Sequence, residues 1–407
     1  MLLVFAHTDF RIYWPARFAR LSAWCLSRNI ELRVVEIAGK GGLYGFAEGS
    51  HGAGHPWWHC LFPGRSIEEV FPREASSALY RELEELQPDV VFAGAIAFPS
   101  GATAARWARR RRRPLVIFDD VRLRDVPRSG LVNWVKRRIY RNVDGILTSA
   151  PSHRPDYEAF GLPPSRIFYG VNTIDNEAWA ARAAEALSNP EGARSRWKLP
   201  EKYFLAVGRQ IPKKNFAQLI RAYGNYRASS GDGEFDLVIV GDGPLRKNLQ
   251  AFVREHEILG VHFHPFRKPD ELGAYYALSS ALVLPSLGGE TWGNVVNEAM
   301  ACGLPVLVSR ECGCAQTLVH EGLNGWTFDP MAPEALANLL AHLEQMKDSE
   351  RSSMGEASRR IIAQWGLDRF VEGVQAALRA VGADRRGFVS PVDRVILTVW
   401  NGRYRPT

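Results

Sequence analysis

Short apolar runs alternate along the chain with segments of helical periodicity. In the first half the runs are LLVFA, ELRVVEI, DVVFAGAI, PLVIF and DGILTSA; in the second half they are KYFLAVG, FDLVIVG, VHFHPF, SALVLPS and LPVLVS. Nearly continuous apolar strands that alternate with helices predict parallel sheets whose two faces are both covered. The number of strand–helix units suits two such sheets, so the pattern predicts an α/β protein with two domains.

The helical segments set the predicted domain boundaries. Helices are predicted to begin near Trp14, to cover 74–86, to end near Arg109, and to cover 216–227, 244–256 and 367–381. A polar, alanine-rich stretch separates the two sets of strands and is read as helix plus linker. We therefore predict an N-terminal domain over 1–175, a linker over 176–200, a C-terminal domain over 201–380 and a tail over 381–407 that crosses back to the first domain or touches a membrane.

Composition restricts the class of protein. The 407 residues are 46% hydrophobic and 23% charged, which is typical of a soluble globular chain. No run approaches the length of a membrane span, and MLLVFAHTDF is predicted to be a first strand because it lacks a basic leader. Five sparsely spaced cysteines suit a reducing compartment, so we expect a cytoplasmic protein, with peripheral attachment to the inner membrane face as an option. The net charge of +7 favours anionic partners.

The loops that follow the strands of the second half carry candidate chemistry, because ligands bind beyond the carboxyl ends of parallel strands. Arg209 and Lys214 follow one strand, and a glycine-rich loop precedes a helix that begins near Asn294. Two cations and a helix N-terminus favour an anion, so these loops predict a diphosphate site. Glu290 lies on the loop and Glu298 lies one to two turns into the helix, where each carboxylate can accept hydrogen bonds from a pair of hydroxyls.

The second half resembles glycosyltransferase family 4, whose enzymes have the GT-B architecture. The segments VGRQIPKKN, VIVGDGP, VLPS, GETWGNVVNEAMACGLPV and GLNGWTFDP occur in the family's order over about 204–330. The resemblance implies two Rossmann-like β/α/β domains that face each other across a cleft. It also implies a retaining transfer of a sugar from a nucleotide-diphosphate donor.

The resemblance assigns roles to individual positions. It implies that Arg209 and Lys214 hold the diphosphate, that Glu290 faces the donor sugar and that Glu298 binds the ribose; the first three are the candidate catalytic residues. The other candidate donor-binding residues are Gly208, Gly241, Pro265, Phe266, Thr291, Trp292, Gly293, Asn294 and Val295. In the family, retention is explained by a departing phosphate oxygen that takes the acceptor proton. The chain has no Asp-x-Asp motif of the kind that holds a divalent metal, so we expect metal-independent transfer from a UDP- or GDP-linked sugar without a separate cofactor.

The N-terminal half departs from the family's commoner pattern. The segment HTDFRIYW stands where many members have a double glycine, and Asp119 and Asp120 stand where many have a histidine. The candidate acceptor residues are His7, Trp57, Trp58 and Asp119.

The stretch HGAGHPWWHC has three interpretations. It is an acceptor loop whose tryptophans offer flat faces to a sugar, a segment whose tryptophans pack in the core or a lid, or a zinc site formed by His51, His55, His59 and Cys60.

Two basic segments, 109–113 and 136–141, contain most of the clustered charge. Arg109–Arg113 and Lys136–Arg141 could bind an anionic membrane, with Trp134 and Tyr140 at the interface, or they could form a solvated basic face. Nucleic-acid binding is not predicted, because no aromatic platform accompanies the charge.

The expected function is extension of a glycan or glycolipid in bacterial surface polysaccharide synthesis. The alternatives are a sugar phosphorylase or nucleotide-sugar epimerase of the same architecture, and a non-catalytic protein that binds nucleotide sugars or membranes.

Overall fold

The computed structural model describes most of the chain, in five ranges: 1–40, 54–126, 128–229, 234–381 and 387–402. The chain divides into two compact units. The first unit comprises Met1–Leu123, Pro127–Thr173 and Leu367–Thr407, and the second comprises Arg124–Val126 and Ile174–Gly366.

Within the described ranges, thirteen strands form two sheets. They are β1 (Leu2–His7), β2 (Glu31–Ala38), β3 (Trp58–Phe62), β4 (Val90–Ala93), β5 (Leu115–Phe118), β6 (Gly145–Thr148), β7 (Ile167–Tyr169), β8 (Tyr203–Val207), β9 (Asp236–Val240), β10 (Val261–His264), β11 (Ala281–Leu284), β12 (Val306–Ser309) and β13 (Gly325–Phe328). The first unit has the strand order β3-β2-β1-β4-β5-β6-β7 and the second has β10-β9-β8-β11-β12-β13. Every strand pair in both sheets is parallel, as predicted.

Helices connect the strands, and several begin at a proline, which suits the first helical turn because its amide hydrogen would have no partner there. They are α1 (Trp14–Leu26), α2 (Pro72–Leu86), α3 (Pro99–Arg111), α4 (Gly130–Tyr140), α5 (Arg154–Glu158), α6 (Asn176–Ser188), α7 (Pro190–Trp197), α8 (Phe216–Ser229), α9 (Arg246–Glu255), α10 (Pro269–Ala277), α11 (Asn294–Ala301), α12 (Ala315–Leu318), α13 (Pro333–Gln345), α14 (Asp348–Ile362), α15 (Leu367–Val381) and α16 (Pro391–Val399). Among the described residues, no helix combines the length and the hydropathy that a membrane crossing requires.

Successive side chains of the central strands enter two different cores. On β1, Phe5 stacks on Phe92 and packs edge-on against Phe18, whereas Val4 belongs to the opposite core with Trp107. Both faces of the sheet are therefore buried at its centre, which explains why β4 and β5 are apolar at every position rather than at alternate positions. The second sheet is covered in the same way, so the predicted α/β class with two Rossmann-like sheets is confirmed.

The domain boundaries differ from the predicted ones. The predicted linker, 176–200, contains α6 and α7; α6 packs on α10, and its Trp179 is buried in edge-on contact with Tyr276. The helix α15 was assigned to the C-terminal domain but packs on α1 and β7, so the second unit ends at Gly366. The helix α16 returns to the first unit, as one of the two predicted options had it, and packs on α3 and α4. The strands β3, β7 and β13 were missed; all three lie at sheet edges and lack the long aliphatic runs of the central strands.

The arginine run is not one continuous basic surface. Arg109 is buried in an ion pair with Asp144, whose carboxylate also accepts a hydrogen bond from the Leu115 amide at 2.8 Å. Lys136 is buried as well, at 7% exposure. The predicted basic surface, whether it faces a membrane or solvent, therefore does not include these two residues, because both side chains are buried.

The buried ion pair should contribute strongly to stability. Replacing Asp144 with Asn leaves the Arg109 charge buried without a counter-charge, so we expect a loss of about 3 kcal/mol in the free energy of unfolding. The matched control is Glu84→Gln, which weakens the more exposed pair with Arg111 and should cost less than about 1 kcal/mol. Urea unfolding of both variants, followed by tryptophan fluorescence, checks this, and equal losses would contradict it.

Candidate functional site

Two loops at the carboxyl edge of the second sheet are held together through close backbone contact. Gly241, after β9, has a φ of 132°, and a Cβ at this position would lie 2.2 Å from the carbonyl oxygen of Gly208, after β8. The Gln210 amide donates to the Asp242 carbonyl at 2.8 Å, and the Gln210 side chain donates to the Gly241 carbonyl at 2.6 Å. A side chain at Gly241 would force these loops apart, so glycine is required there for packing.

Lys214 is placed by the loop after β8. Its aliphatic chain packs against Gly208, where a Cβ would lie 3.3 Å from Lys214 Cε. The next residue, Asn215, has a left-handed φ of 56°, and its side-chain amide donates to the carbonyls of Pro285 at 3.1 Å and Pro330 at 2.9 Å. Asn215 was not predicted. Its position directly before a helix could have indicated it, because asparagine tolerates the left-handed conformation better than most residues.

The predicted pair of Lys214 and Glu290 is brought together. The Lys214 ammonium lies 2.6 Å from the Glu290 carboxylate, with side-chain exposures of 11% and 13%, and the Ser286 hydroxyl donates to the same carboxylate at 3.2 Å. Burial acts to raise the pKa of the Glu290 carboxyl, but attraction to Lys214 and the hydrogen bonds from Lys214 and Ser286 outweigh it. The pKa of Glu290 is therefore lowered, and the carboxylate is ionised at neutral pH.

The loop between Glu290 and α11 is fixed by its own contacts. Trp292 is buried, and its indole donates to the Asn297 side chain at 2.9 Å. Gly293 has a φ of 108°, and a Cβ there would lie 2.8 Å from the Leu284 side chain. Helix α11 follows directly and begins at Asn294. The start of the helix thus directly follows the loop that was predicted to face the sugar. Thr291 and Val295, which were also predicted to bind the donor, are half-buried.

Glu298 lies in the second turn of α11 and is 4% exposed. The Tyr276 hydroxyl donates to its carboxylate at 2.6 Å and fixes its direction. Tyr276 is a functional candidate that the sequence analysis missed, because a tyrosine on α10 gives no local signal of a partner on α11.

The loop after β10 contains Pro265 and Phe266, both exposed, with Phe266 at 40%. The Phe266 amide donates to the Asp242 carboxylate at 2.7 Å, so the loop is tied to the GDGP turn. Arg246 donates to the carbonyls of Gly241 at 2.8 Å and His264 at 2.9 Å and joins the ends of β9 and β10. Asp242 and Arg246 were not predicted, although Asp242 lies within the GDGP turn that the sequence analysis identified. Arg209, half-buried directly after Gly208, completes the predicted donor set, all of which lies in the second unit.

His7, a predicted acceptor residue, ends β1 in the first unit among Phe10, Phe98 and Phe118. Burial lowers the pKa of its imidazole to about 4, so the ring is neutral at physiological pH. Its Nδ1 lies 3.5 Å from the Ser100 hydroxyl. The acceptor role of His7 stays a prediction.

Two other acceptor candidates lie in the interior of the first unit. Asp119 is 9% exposed and accepts hydrogen bonds from the Tyr140 hydroxyl at 3.1 Å and the Val121 amide at 3.2 Å, while burial raises the pKa of its carboxyl. Trp58 is 7% exposed and packs edge-on against Phe18. Trp58 therefore presents no open face to a sugar, because its ring packs in the core against Phe10 and Phe18.

Trp57 is half-buried and stacks on the ring of His55. His51, one of the four zinc candidates, lies outside the described residues. His59 pairs with Glu82 at 2.8 Å, and Cys60 is a free thiol. Across the ranges that the structure describes, no three His, Cys, Asp or Glu side chains form a group that could hold a metal ion.

Two family models match the chain. The glycosyl transferase 4-like domain matches residues 5–170, and the model of glycosyl transferases group 1 matches residues 188–361. Between them the two models cover both sheets, and the chain belongs to this family of glycosyltransferases, which confirms the resemblance found in the sequence.

Individual relatives and a solved structure agree with this assignment. An uncharacterized glycosyltransferase of Methanocaldococcus jannaschii is 29% identical over 172 residues, 42% of this chain and 46% of the relative. The GDP-mannose-dependent alpha-(1-6)-phosphatidylinositol monomannoside mannosyltransferase of Mycobacterium tuberculosis is 30% identical over 266 residues, 62% of this chain and 66% of the relative. The chain thus spans about half to two thirds of the length of these curated relatives.

The structure of HepE from Anabaena in complex with UDP and glucose is similar to this chain in fold. It covers 93% of this chain and all of its own, at 17% identity and a TM-score of 0.70. This similarity confirms the GT-B fold class.

The Lys214–Glu290 pair should give stability a specific pH dependence. Because the pKa of Glu290 is lowered, the pair contributes stability above the ordinary carboxyl pKa and loses it as pH falls through the lowered value. In Lys214→Met the effect of burial prevails and raises that pKa, so we expect a loss of about 3 kcal/mol at pH 7 that shrinks towards pH 4. Urea unfolding at both pH values measures it.

The control for this pH experiment is Lys213→Met. The Lys213 ammonium lies 3.4 Å from the Gly289 carbonyl, outside the short ion pair, and its attraction lowers the pKa of Glu290 less than that of Lys214 does. This variant should lose less than about 1 kcal/mol at either pH. A pH-independent loss in Lys214→Met would show that the lysine acts through packing alone.

Proposed function

We propose that this protein is a retaining glycosyltransferase that moves a sugar from a nucleotide-diphosphate donor to a glycan or lipid-linked acceptor. The observation that carries the proposal is the short, nearly buried pair of Lys214 and Glu290 at the carboxyl edge of the second sheet. The relatives support the donor class: one is named for its dependence on GDP-mannose, and HepE was solved with UDP and glucose. The lipid-linked acceptor named for the mycobacterial relative supports the acceptor class.

The diphosphate would be held by cations rather than by a metal. Breaking a sugar–phosphate bond builds negative charge on the leaving group, and fixed cations stabilise that charge in the transition state. Lys214 is fixed by its packing on Gly208 and by Asn215, so it meets the developing charge without reorganisation. Arg209 and the amino end of α11 would add to the same positive site. We propose transfer without a divalent metal on this ground.

The two glutamates would bind opposite ends of the donor. Glu290, ionised and held by Ser286, would face the sugar and orient its hydroxyls. Asn294 adds an acceptor: its side-chain oxygen is buried and has no hydrogen-bond partner among the described residues. Glu298, directed by Tyr276, would bind the ribose diol.

The base would contact the loop after β10. Phe266 is exposed there, and its position is fixed through the hydrogen bond to Asp242. An exposed aromatic ring can stack on any nucleobase, so this contact supports nucleotide binding without selecting the base.

The acceptor proton would pass to the departing phosphate oxygen. This route needs no protonated side chain. It is therefore compatible with His7, whose imidazole has a pKa of about 4 and is neutral at the working pH. Sugar transfer by this route retains the configuration at the anomeric carbon. We propose a role in bacterial surface polysaccharide or glycolipid synthesis.

Calorimetric titration of the protein with UDP, GDP, dTDP and ADP, in the presence of EDTA, tests the donor site. We expect one nucleotide to bind best and Arg209→Ala to weaken it roughly 10- to 100-fold, because a charge-assisted contact is lost. The control is Arg254→Ala, an exposed arginine on α9 that should leave the affinity unchanged. Failure of all four nucleotides to bind would contradict the proposal.

The role of Glu290 is tested by Glu290→Gln with the sugar nucleotide of the preferred base. We expect nucleoside diphosphate binding within a few-fold of wild type, because the amide keeps the size of the side chain. The rate at which the protein slowly releases nucleoside diphosphate from the sugar donor should fall about 10²- to 10³-fold, because the negative charge proposed to face the sugar is gone. Release at the wild-type rate would show that Glu290 has no part in the reaction.

A further inference from the structure

Helix α16 carries a row of apolar side chains on its solvent side. Val392, Val395 and Val399 are 48%, 63% and 69% exposed, and their spacing of three and four residues places them on one side of the helix. The other side is anchored: Leu397 is fully buried, and the Trp400 indole after the helix donates to the Ile96 carbonyl at 2.7 Å. A helix that faced only water would carry polar side chains at the valine positions.

Helix α4 extends this apolar surface. Leu131 and Trp134 are 71% and 48% exposed and lie on the same row of the helix as Arg138, three and four residues apart. Arg138 contacts the buried Asp393 carboxylate of α16 at 2.6 Å and donates to the Ser390 hydroxyl at 2.7 Å. The ion pair therefore joins the exposed row of α4 to the beginning of α16.

We call the exposed apolar side chains of this region the docking platform. It consists of Leu131, Trp134, Val389, Val392, Val395 and Val399.

The described helices of this region carry almost only basic charge. In α3, α4 and α16, every residue of which the structure describes, Asp393 is the one acidic residue, and it is buried against Arg138. Exposed arginines lie on these helices or directly after them: Arg110, Arg112, Arg137, Arg141 and Arg394.

One contact ties Val389 to the residue after the end of α4, and another brings Arg112 close to the same segment. The Val389 amide donates at 3.1 Å to Asn142, which follows Arg141 in the chain. A Cβ on Gly387 would lie 4.0 Å from the Arg112 guanidinium. The start of the α16 segment is thus within reach of cations from both α3 and α4.

We propose that the docking platform binds the surface of an anionic lipid bilayer. The valines and Trp134 would enter the boundary between headgroups and acyl chains, while the arginines contact headgroup phosphates. A second copy of the chain is a poorer occupant, because two such faces would bring arginines together without acidic partners. A nucleic acid would leave the valine row unused. The inference does not depend on the proposed donor site.

Vesicle sedimentation of the full chain tests the proposal. We expect binding to vesicles of phosphatidylcholine with about 30% phosphatidylglycerol, and at least tenfold weaker binding to phosphatidylcholine alone, because each arginine near a charged surface contributes about fivefold. The variant with Val392→Ser, Val395→Ser and Val399→Ser should bind the anionic vesicles at least about tenfold more weakly. Its melting temperature and nucleotide affinity should match wild type, since these side chains are exposed to solvent.

The control variant removes exposed apolar side chains elsewhere in the first unit. Leu26 and Phe71 are 77% and 76% exposed, and Leu26→Ser with Phe71→Ser should leave vesicle binding unchanged. Equal binding to both vesicle types would overturn the proposal, as would full binding by the triple valine variant. A wild-type dimer in analytical ultracentrifugation that the triple variant loses, without loss of vesicle binding, would show that a second copy covers this face instead.

Discussion

The ion pair between Lys214 and Glu290 is the interaction on which the candidate site depends. Two charges at this depth are tolerated only when they neutralise each other with good geometry. Gly208 leaves space for the lysine chain, and Asn215 fixes the turn that carries it. Ser286 supplies a further hydrogen bond to the carboxylate. These contacts hold the charged groups in place before a donor binds. A diphosphate that enters the site would then share Lys214 with Glu290.

Close backbone packing makes that geometry possible. The carboxyl ends of parallel strands meet at one edge, but their loops approach closely only where side chains are missing. Gly241 lets the loop after β9 rest on the Gly208 carbonyl, and Gly293 lets α11 begin beside the Leu284 side chain. Arg246 then joins β9 to β10 through carbonyl hydrogen bonds. Glycines and one arginine thus build a rigid frame around the charged residues.

The first unit shows how neighbouring arginines take different roles. Arg109 is part of the core through Asp144, and Arg111 pairs with Glu84 at the surface. Arg110 and Arg112 are exposed, and Arg112 lies close to Gly387, before α16. A helix turns 100° per residue, so consecutive side chains in a run face different surroundings. Asp393 repeats the pattern of Asp144, because each buried carboxylate fixes one arginine and leaves its neighbours on the surface.

The two parallel sheets and most helices could be predicted from the sequence, because an apolar strand covered on both faces has a local signature, as PLVIF does. The candidates Arg209, Lys214, Glu290 and Glu298 could be identified in the same way, since they follow the ends of such strands, where ligands bind. Tertiary contacts were needed to show that Trp58 and Asp119 lie inside, and that Tyr276 directs Glu298 and Asn215 supports Lys214. The tertiary structure alone assigned α15 to the first unit and made the valine row of α16 an outer surface. Each of these depends on contacts between residues far apart in the chain, which no local pattern records.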